Sequence, residues 1–251
     1  MRQYMKFMTD QPVSCRYAMF DRYGGASTGP FTALNSSYSV GDDDSAVTEN
    51  RRRMKEILGL DFLVSARQVH GDHIYCLKER PAVDHEVDGY DALLTNLPNI
   101  GIMIQHADCQ AVLLYDPNCQ VIGAVHCGWR GSVQDILGKT VKTMTEVYNS
   151  RPADILAAIS PSLGPCCSEF VNHARELPAA FQSFLVRQNH FDFWRSSRDQ
   201  LTASGLDASS ITISGVCTSC STDYFSYRRS IRSGGDPTGR NCTVAALGKG
   251  K

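Results

Sequence analysis

A series of short apolar runs in the middle of the chain constrains its fold more than any other feature of the sequence. The runs predict β-strands at residues 62–69, 92–94, 101–105, 111–115 and 121–126. Asp116, Pro117 and Asn118 separate the last two runs, and this combination of residues favours a tight turn. The last two strands are therefore predicted to form a hairpin.

Segments with apolar residues at helical spacing lie before and after these strands. They predict helices at 45–60, 131–148, 175–186 and 194–204, and two further short apolar runs predict strands at 155–159 and 211–216. Ser45 or Thr48 is the expected cap of the first helix. Segments rich in glycine predict loops at 24–30, 41–44 and 230–241. This mixture predicts an α+β or mixed α/β fold in a single domain covering residues 1–251.

Charge and cysteine content narrow the class of protein. The 25 Lys and Arg residues against 26 Asp and Glu give a net charge of −1, which argues against a nucleic-acid binder. The chain has ten cysteines in 251 residues, a low density for a disulfide scaffold. The first ten residues lack the apolar core of a secretory leader, and no apolar run approaches the ~20 residues that span a bilayer. We expect a cytoplasmic protein with mostly free thiols and no membrane partner.

Three short segments at the ends of predicted strands carry residues suited to metal chemistry. They contribute His70, Cys109 and His126, and strand ends commonly present functional groups. Two imidazoles and one thiolate form a catalytic zinc set that leaves a fourth position for water or substrate. Three unrelated strand-end residues remain the alternative at this stage.

Charged residues near these segments are candidates for substrate contacts. Arg130 opens a predicted helix bounded by glycines, where backbone N–H groups and a guanidinium suit an anion, although a plain strand-to-helix turn is the commoner explanation. Asp108, beside Cys109, is a candidate for orienting the substrate or transferring a proton. Arg22, in a glycine-rich segment, and Arg228 are further candidates for phosphate.

Four cysteines in the second half of the chain form a separate group. Cys166 and Cys167 are adjacent in a turn-rich segment, and Cys217 and Cys220 form a CxxC. Four thiols suffice for a structural zinc ion. A vicinal pair rarely supplies two zinc ligands, however, so we expect buried, inert thiols here.

The ordered set of motifs resembles the YfiH-type family, also called the laccase-like or multicopper polyphenol oxidase family, whose members are regarded mainly as purine nucleoside phosphorylases. The matching segments are 22–25, 41–43, 49–51, 68–71, 91–93, 107–109, 126–131, 164–167, Glu169, 199–201, 217–218, 225–229 and 238–240. The chain departs from the family at Cys127, where alanine is common, and in a longer segment at 230–237.

The resemblance implies a specific fold, site and activity. It implies layered mixed β-sheets flanked by helices, related to the catalytic domain of cytotoxic necrotizing factor. It makes His70, Cys109 and His126 the zinc ligands of the active site. It also implies phosphorolysis of adenosine, inosine, guanosine and S-methyl-5′-thioadenosine, with some adenosine deamination. The expected partners are therefore small purine nucleosides and phosphate.

Three other functions stay open. A copper-dependent polyphenol oxidase would bind copper through the same ligands, although seven dispersed histidines are few for several coppers. A Cys/His hydrolase that edits peptidoglycan precursors would use Cys109 as a nucleophile paired with histidine. A zinc-stabilised binding module would have no catalytic activity. The sequence leaves the preferred nucleoside and the oligomeric state open.

Overall fold

The computed structural model describes residues 15–248, which form thirteen β-strands and six α-helices. The first ten residues, on which the absence of a leader was predicted, lie outside the described residues. The first sheet has five strands, in spatial order β1 (Cys15–Met19), β13 (Asn241–Leu247), β6 (Ile100–His106), β2 (Phe62–Arg67) and β4 (His85–Asp88). The second sheet has six strands, in spatial order β12 (Ile211–Ile213), β9 (Leu156–Ile159), β7 (Gln110–Asp116), β8 (Val121–Cys127), β5 (Ala92–Thr95) and β3 (Ile74–Leu77).

Six helices within residues 15–248 accompany the two sheets, and two of them pack on the outer faces. The six helices are α1 (Asp44–Leu58), α2 (Trp129–Val133), α3 (Ile136–Tyr148), α4 (His173–Glu176), α5 (Phe193–Ala203) and α6 (Tyr227–Arg232). Helix α1 packs on the first sheet through Met54 and Leu58, and α3 packs on the second sheet through Val141 and Met144. Between the sheets, alternate residues of the facing strands form one continuous apolar layer. The mixed α/β fold with layered sheets flanked by helices is thus confirmed.

Burial on both faces explains the sequence of the central strands. All seven residues of β6, of β7 and of β8 are buried. A strand covered on both sides has no polar face, so it appears in the sequence as a continuous apolar run. The predicted hairpin joins β7 and β8 in antiparallel register, with Asp116 accepting hydrogen bonds from the N–H groups of Asn118 and Cys119 at 2.8 and 3.0 Å.

Three predicted helices have boundaries that differ from the prediction, and a capping residue or a proline explains each difference. The first helix is capped by Asp43 rather than Ser45 or Thr48, because the Asp43 carboxylate accepts from the N–H groups of residues 45 and 46. The predicted helix at 131–148 is two helices, since Asp135 adopts a left-handed conformation (φ 54°) and caps α3. The predicted helix at 175–186 ends at Glu176, because Pro178 lacks the N–H that a helix interior needs.

The remaining differences lie in short elements. Beyond Glu176 the chain forms a 3₁₀ turn at Ala179–Phe184 and a small hairpin of β10 (Leu185–Arg187) and β11 (His190–Phe191). The predicted loop at 230–241 begins inside α6 and ends at the first residue of β13. Strands β1, β3, β4 and β13 have no counterpart in the prediction. No helix within residues 15–248 has both the length and the apolar character needed to cross a membrane.

Candidate functional site

Strand register places Cys109, His126 and Asp91 side by side. Gln110 of β7 pairs with Cys127 of β8, so Cys109 lies opposite Gly128 at the same end of the hairpin. Ala92 of β5 pairs with Val125 on the other side of β8, and the His126 N–H donates to the Asp91 carbonyl at 2.7 Å. The site is therefore built where β8 ends and its two neighbours in the second sheet, β5 and β7, begin.

The buried Asp91 carboxylate organises both histidines. Its Oδ1 accepts from His126 Nδ1 at 2.8 Å and from the His70 backbone N–H at 3.0 Å. Its Oδ2 accepts from the N–H groups of Val69 and Gly71 at 3.1 and 2.8 Å. The hydrogen bond to Nδ1 leaves Nε2 of His126 available to a ligand, as in carboxylate–histidine–metal arrangements.

The side chains of His70, Cys109 and His126 meet around Gly128. Their ligand atoms lie within 4.8 Å of one another, and Cys109 Sγ is 3.9 Å from His70 Nε2. A Cβ added at Gly128 would lie 3.0 Å from Cys109 Sγ and 3.2 Å from His70 Cδ2, so the glycine leaves space between the three groups. Zinc with one sulfur and one nitrogen ligand sets these atoms about 3.6 Å apart. The residues fit a divalent metal ion with soft and imidazole ligands.

The charges of the cluster reinforce one another. Burial raises the pKa of the Cys109 thiol, but the neighbouring His126 outweighs it and the net pKa is lowered. Burial lowers the pKa of His126, while the Cys109 thiolate and Asp91 act more strongly and leave it raised. Burial likewise raises the pKa of Asp91, and the hydrogen bonds from His126 and the loop N–H groups bring it below its ordinary value. The cluster therefore favours negative charge on Cys109 and on Asp91, with His126 between them as the positively charged partner.

The three residues lie in a cavity of about 540 Å³, within the size range of small-molecule sites. Trp129, Phe170, Phe193 and Tyr227 provide aromatic surface in its lining. The Trp129 and Phe170 rings are 6.2 Å apart in an edge-to-face arrangement, and Phe170 is 5.2 Å from Phe193. Aromatic and polar side chains in one cavity lining suit a ligand with a flat ring and a polar substituent.

Asp108 links the cavity to two further segments. Its Oδ1 accepts from Thr218 Oγ1 at 2.7 Å, and its Oδ2 accepts from the Arg228 backbone N–H at 2.5 Å. The Asp108 carbonyl also accepts from the N–H of Leu163 at 2.8 Å. Both carboxylate oxygens of Asp108 are thus engaged with protein groups.

The structure separates the three arginines predicted to bind phosphate. Arg130 lines the cavity with an exposed guanidinium over the Trp129 ring, 4.4 Å from its centroid. Arg228 also lines the cavity, but its guanidinium donates to the carbonyls of Cys167 and Glu169 at 3.2 and 2.9 Å. Arg22 is not among the described residues that line the cavity.

Arg22 instead makes contacts within the framework around the site. Its Nε donates to the Thr32 carbonyl at 2.8 Å, and its guanidinium lies 4.5 Å from the centre of the Phe225 ring. Burial and the nearby Arg229 lower the pKa of Arg22. These contacts indicate that Arg22 stabilises the segments around Thr32 and Phe225.

Sequence reasoning missed three residues of the site. Asp91 directly precedes a predicted strand, but only the pairing of β5 with β8 reveals its contact with His126. Gly128 has a φ of −78°, so its need for glycine comes from its neighbours and not from its backbone. Arg240 lines the cavity, and burial lowers its pKa. All three lay within segments that carried the family resemblance, which was the only signal for Asp91 and Arg240, whereas Gly128 was also one of the glycines that bound the predicted helix at Arg130.

The expectation of buried, inert thiols was wrong for part of the second cysteine group. Cys166 and Cys220 are exposed, Cys217 is partly buried and only Cys167 is buried. Cys127, the departure from the family, is buried in the apolar cluster under α3 with its sulfur 3.3 Å from Ser132 Oγ, and burial raises its pKa to about 12. None of the ten cysteines, all of which lie within residues 15–248, forms a disulfide.

Comparison with known proteins gives consistent matches. A family model described as multi-copper polyphenol oxidoreductase laccase matches residues 16–248. Purine nucleoside phosphorylase YlmD of Geobacillus stearothermophilus is 34% identical over 226 residues, which cover 83% of this chain and 82% of that protein. A purine nucleoside phosphorylase of Deinococcus radiodurans is also 34% identical, over 92% of this chain and 88% of that protein.

Solved structures match over nearly the whole chain. The crystal structure of YlmD from Geobacillus stearothermophilus superimposes with a TM-score of 0.84 at 30% identity, covering 94% of this chain and 93% of that one. The crystal structure of the Bacillus licheniformis hypothetical protein YfiH gives a TM-score of 0.83 at 30% identity, covering 93% of this chain and 92% of that one. The expected relation to cytotoxic necrotizing factor stays a prediction.

Proposed function

Because this chain belongs to the multi-copper polyphenol oxidoreductase laccase family, and relatives covering most of its length are named purine nucleoside phosphorylases, we propose that it is a zinc-dependent purine nucleoside phosphorylase. The observation that carries the proposal is the group of His70, Cys109 and His126, held by Asp91 in an aromatic-lined cavity. Its proposed substrates are adenosine, inosine, guanosine and S-methyl-5′-thioadenosine, with adenosine deamination as a second activity.

The metal proposal rests on the donor set. Two imidazoles and one thiolate suit zinc, which when bound by three protein ligands acts as a Lewis acid through its open position. Of the two groups of metal-capable side chains among residues 15–248, only this one contains histidine. A multicopper oxidase needs several imidazole-rich centres, so the ligands favour a single metal at this site over a copper cluster.

Phosphorolysis requires the protein to bind a flat base, a ribose and an anion together. An oxygen of hydrogen phosphate forms a bond to ribose C1′ while the bond from C1′ to the base breaks, and the departing base takes up the proton that the phosphate loses. We propose that the aromatic residues of the cavity, Trp129 and Phe170 among them, stack on the base. Arg130 and Arg240 are the proposed phosphate contacts, because both line the cavity and the Arg130 guanidinium is exposed. Arg240 donates to the carbonyls of Thr238 and Gly239 through Nη1, at 2.8 and 3.2 Å, whereas Arg228 uses both Nη1 and Nη2 for such bonds.

The positions of Asp108 and Arg228 suggest a supporting role. Asp108 holds the segments of Thr218 and Arg228 against the cavity, and Arg228 fixes the loop at Cys167 and Glu169. We propose that both keep the binding surface in place during the reaction. Preformed geometry lowers the free-energy cost of aligning the substrates. Substitution of Asp108 or Arg228 is therefore expected to lower the rate of turnover, although neither side chain is proposed to contact phosphate.

The decisive assay is the release of hypoxanthine from inosine. We expect release only with phosphate present, formation of ribose 1-phosphate in equal amount, loss of activity with a chelator, and recovery on adding Zn²⁺. Cys109→Ser should abolish the activity, whereas Cys119→Ser, at the opposite end of the β7–β8 hairpin, should retain it. Release of hypoxanthine without phosphate, or activity that survives full removal of metal, would contradict the proposal.

A second candidate function follows from the lowered pKa of Cys109. A thiolate beside a histidine is also the arrangement of a Cys/His hydrolase, as the sequence allowed. That enzyme would form a covalent thioester or related adduct on Cys109 and would need no metal. Hydrolysis of an amide substrate by metal-free protein, together with alkylation of Cys109 that stops it, would favour this alternative.

A further inference from the structure

The four cysteines Cys166, Cys167, Cys217 and Cys220, here called the cysteine quartet, come together from two loops. Their sulfur atoms all lie within 4.8 Å of one another. Cys220 Sγ is 3.6 Å from Cys166 Sγ and 3.5 Å from Cys167 Sγ. Two of the four side chains are exposed, so the group lies at the surface and outside the cavity lining.

The spacing of the sulfur atoms matches a metal site better than a disulfide. In a tetrahedral zinc site the metal–sulfur distance of about 2.3 Å places the sulfur atoms about 3.8 Å apart. A disulfide would bring two sulfurs to about 2.05 Å and would leave the other two thiols without a role. The observed distances of 3.5 and 3.6 Å lie near the edge of the tetrahedron. We propose that the cysteine quartet binds a second zinc ion, with structural rather than catalytic function.

Local packing explains how a vicinal pair can provide two ligands. The N–H groups of Cys167 and Ser168 both donate to the Gly164 carbonyl, at 2.9 and 3.0 Å, which closes a tight turn around the pair. Gly164 also permits the close approach of the second loop, since an added Cβ would lie 2.8 Å from Trp194 and 3.0 Å from the Cβ of Cys217. This turn lets both sulfurs of the pair face Cys220.

Arginines around the quartet suit the charge of a tetrathiolate centre. Four thiolates and one Zn²⁺ carry a net charge of −2. The Arg232 guanidinium donates to Cys167 Sγ at 3.8 Å, and Arg187 donates to the Cys166 carbonyl at 2.7 Å. Arg228 donates to the Cys167 carbonyl at 3.2 Å. Such outer contacts orient metal ligands and offset their charge.

The quartet is mechanically connected to the candidate active site. Thr218 lies between Cys217 and Cys220 and donates to the Asp108 carboxylate at 2.7 Å. Arg228 connects the backbone of the vicinal pair to the same carboxylate. A metal ion that joins the two loops would therefore fix the cavity wall at Asp108. All four ligands come from the protein, which is the pattern of a closed, structural site.

Metal content of the full chain, purified under reducing conditions and supplied with Zn²⁺, tests the proposal. We expect two equivalents of zinc in the parent protein and one after the double change Cys217→Ser and Cys220→Ser. We also expect one equivalent after Cys109→Ser and two after the control change Cys119→Ser. One equivalent in the parent protein, unchanged by the double change, would overturn the proposal.

Spectroscopy of the unmutated chain keeps the test valid if the double variant does not fold. After replacement of zinc by ¹¹³Cd²⁺, two resonances are expected, one of them in the strongly downfield region typical of four thiolate ligands. Absence of that resonance, or a disulfide within the quartet in non-reducing mass spectrometry of freshly reduced protein, would refute the site. Because neither readout uses activity, failure of the phosphorylase assay would leave this result unaffected.

Discussion

Asp91→Asn is the most informative single change in the candidate site. Asp91 is fully buried, and its two carboxylate oxygens accept four hydrogen bonds, two on each oxygen. Asparagine has nearly the same shape but only one oxygen. Its NH₂ group would replace an acceptor with a donor, so it would face two other donors and two of the four hydrogen bonds would be lost.

The magnitude follows from the number of bonds lost. Hydrogen bonds to a charged group contribute about 1.5–3 kcal/mol each, so losing two lowers the free energy of unfolding by about 3–6 kcal/mol. If the amide oxygen accepts from His126, the N–H groups of Val69 and Gly71 lose their acceptor. If it accepts from these two N–H groups instead, His126 Nδ1 loses its acceptor. Either orientation frees one metal ligand, and changes of this type typically lower metal affinity by about 10–100-fold.

Two measurements on the metal-free and metal-loaded protein check this reasoning. Urea unfolding of the metal-free protein gives the loss in stability, and competition with a chromogenic chelator gives the loss in zinc affinity. Asp88→Asn is the matched control, because the ion pair of Asp88 with Arg67 is exposed and contributes about 0.5 kcal/mol or less. Asp91→Asn protein with the stability and the zinc affinity of the parent would refute the role assigned to Asp91.

Three further changes test other parts of the structure. Gly128→Ala should lower zinc affinity at least about tenfold, because the new Cβ would lie 3.0 Å from Cys109 Sγ. It should lower stability little, because a φ of −78° suits alanine. Chelator competition measures the first effect and thermal unfolding the second. Glu86→Gln should lower stability by about 1–2 kcal/mol at pH 7. Burial raises the pKa of Glu86, but its ion pair with Arg51 and its hydrogen bonds leave the pKa below the ordinary value. The stabilisation by the Glu86 carboxylate is therefore fully present above the ordinary carboxyl pKa. Urea unfolding should show the stability difference between the parent and Glu86→Gln shrinking below about pH 4. In steady-state kinetics, Arg130→Ala should raise the KM for phosphate, whereas Arg22→Ala should leave it within about twofold.

The extent of correct prediction differs between the strands and the helices. Strands β6, β7 and β8 were predictable because burial on both faces removes polar residues and turns separate the runs, both of which are local signals. The helix predicted at 175–186 does not continue beyond Glu176, because apolar residues at helical spacing do not compensate for Pro178, which lacks a backbone N–H. The edge strand β4 was missed because its residues are only partly buried or exposed and its sequence, HEVD, lacks an apolar run.

The sequence by itself determined the chemical types available to the site and the strand ends on which they lie. It identified His70, Cys109 and His126 as potential ligands and placed each of them at or just after a predicted strand. It also supplied the ordered motifs by which the family could be proposed. These properties depend on residue type and short-range spacing, so they can be identified without the tertiary structure.

Only the tertiary structure decided which groups meet. The pairing of β5 and β7 with β8 sets Asp91 against His126 and Cys109 against Gly128, and no local pattern encodes that register. The same holds for the cysteine quartet, whose two loops are about 50 residues apart in the chain. Contacts between distant segments depend on strand order and packing, which is why the sequence could name the ligands but not their partners.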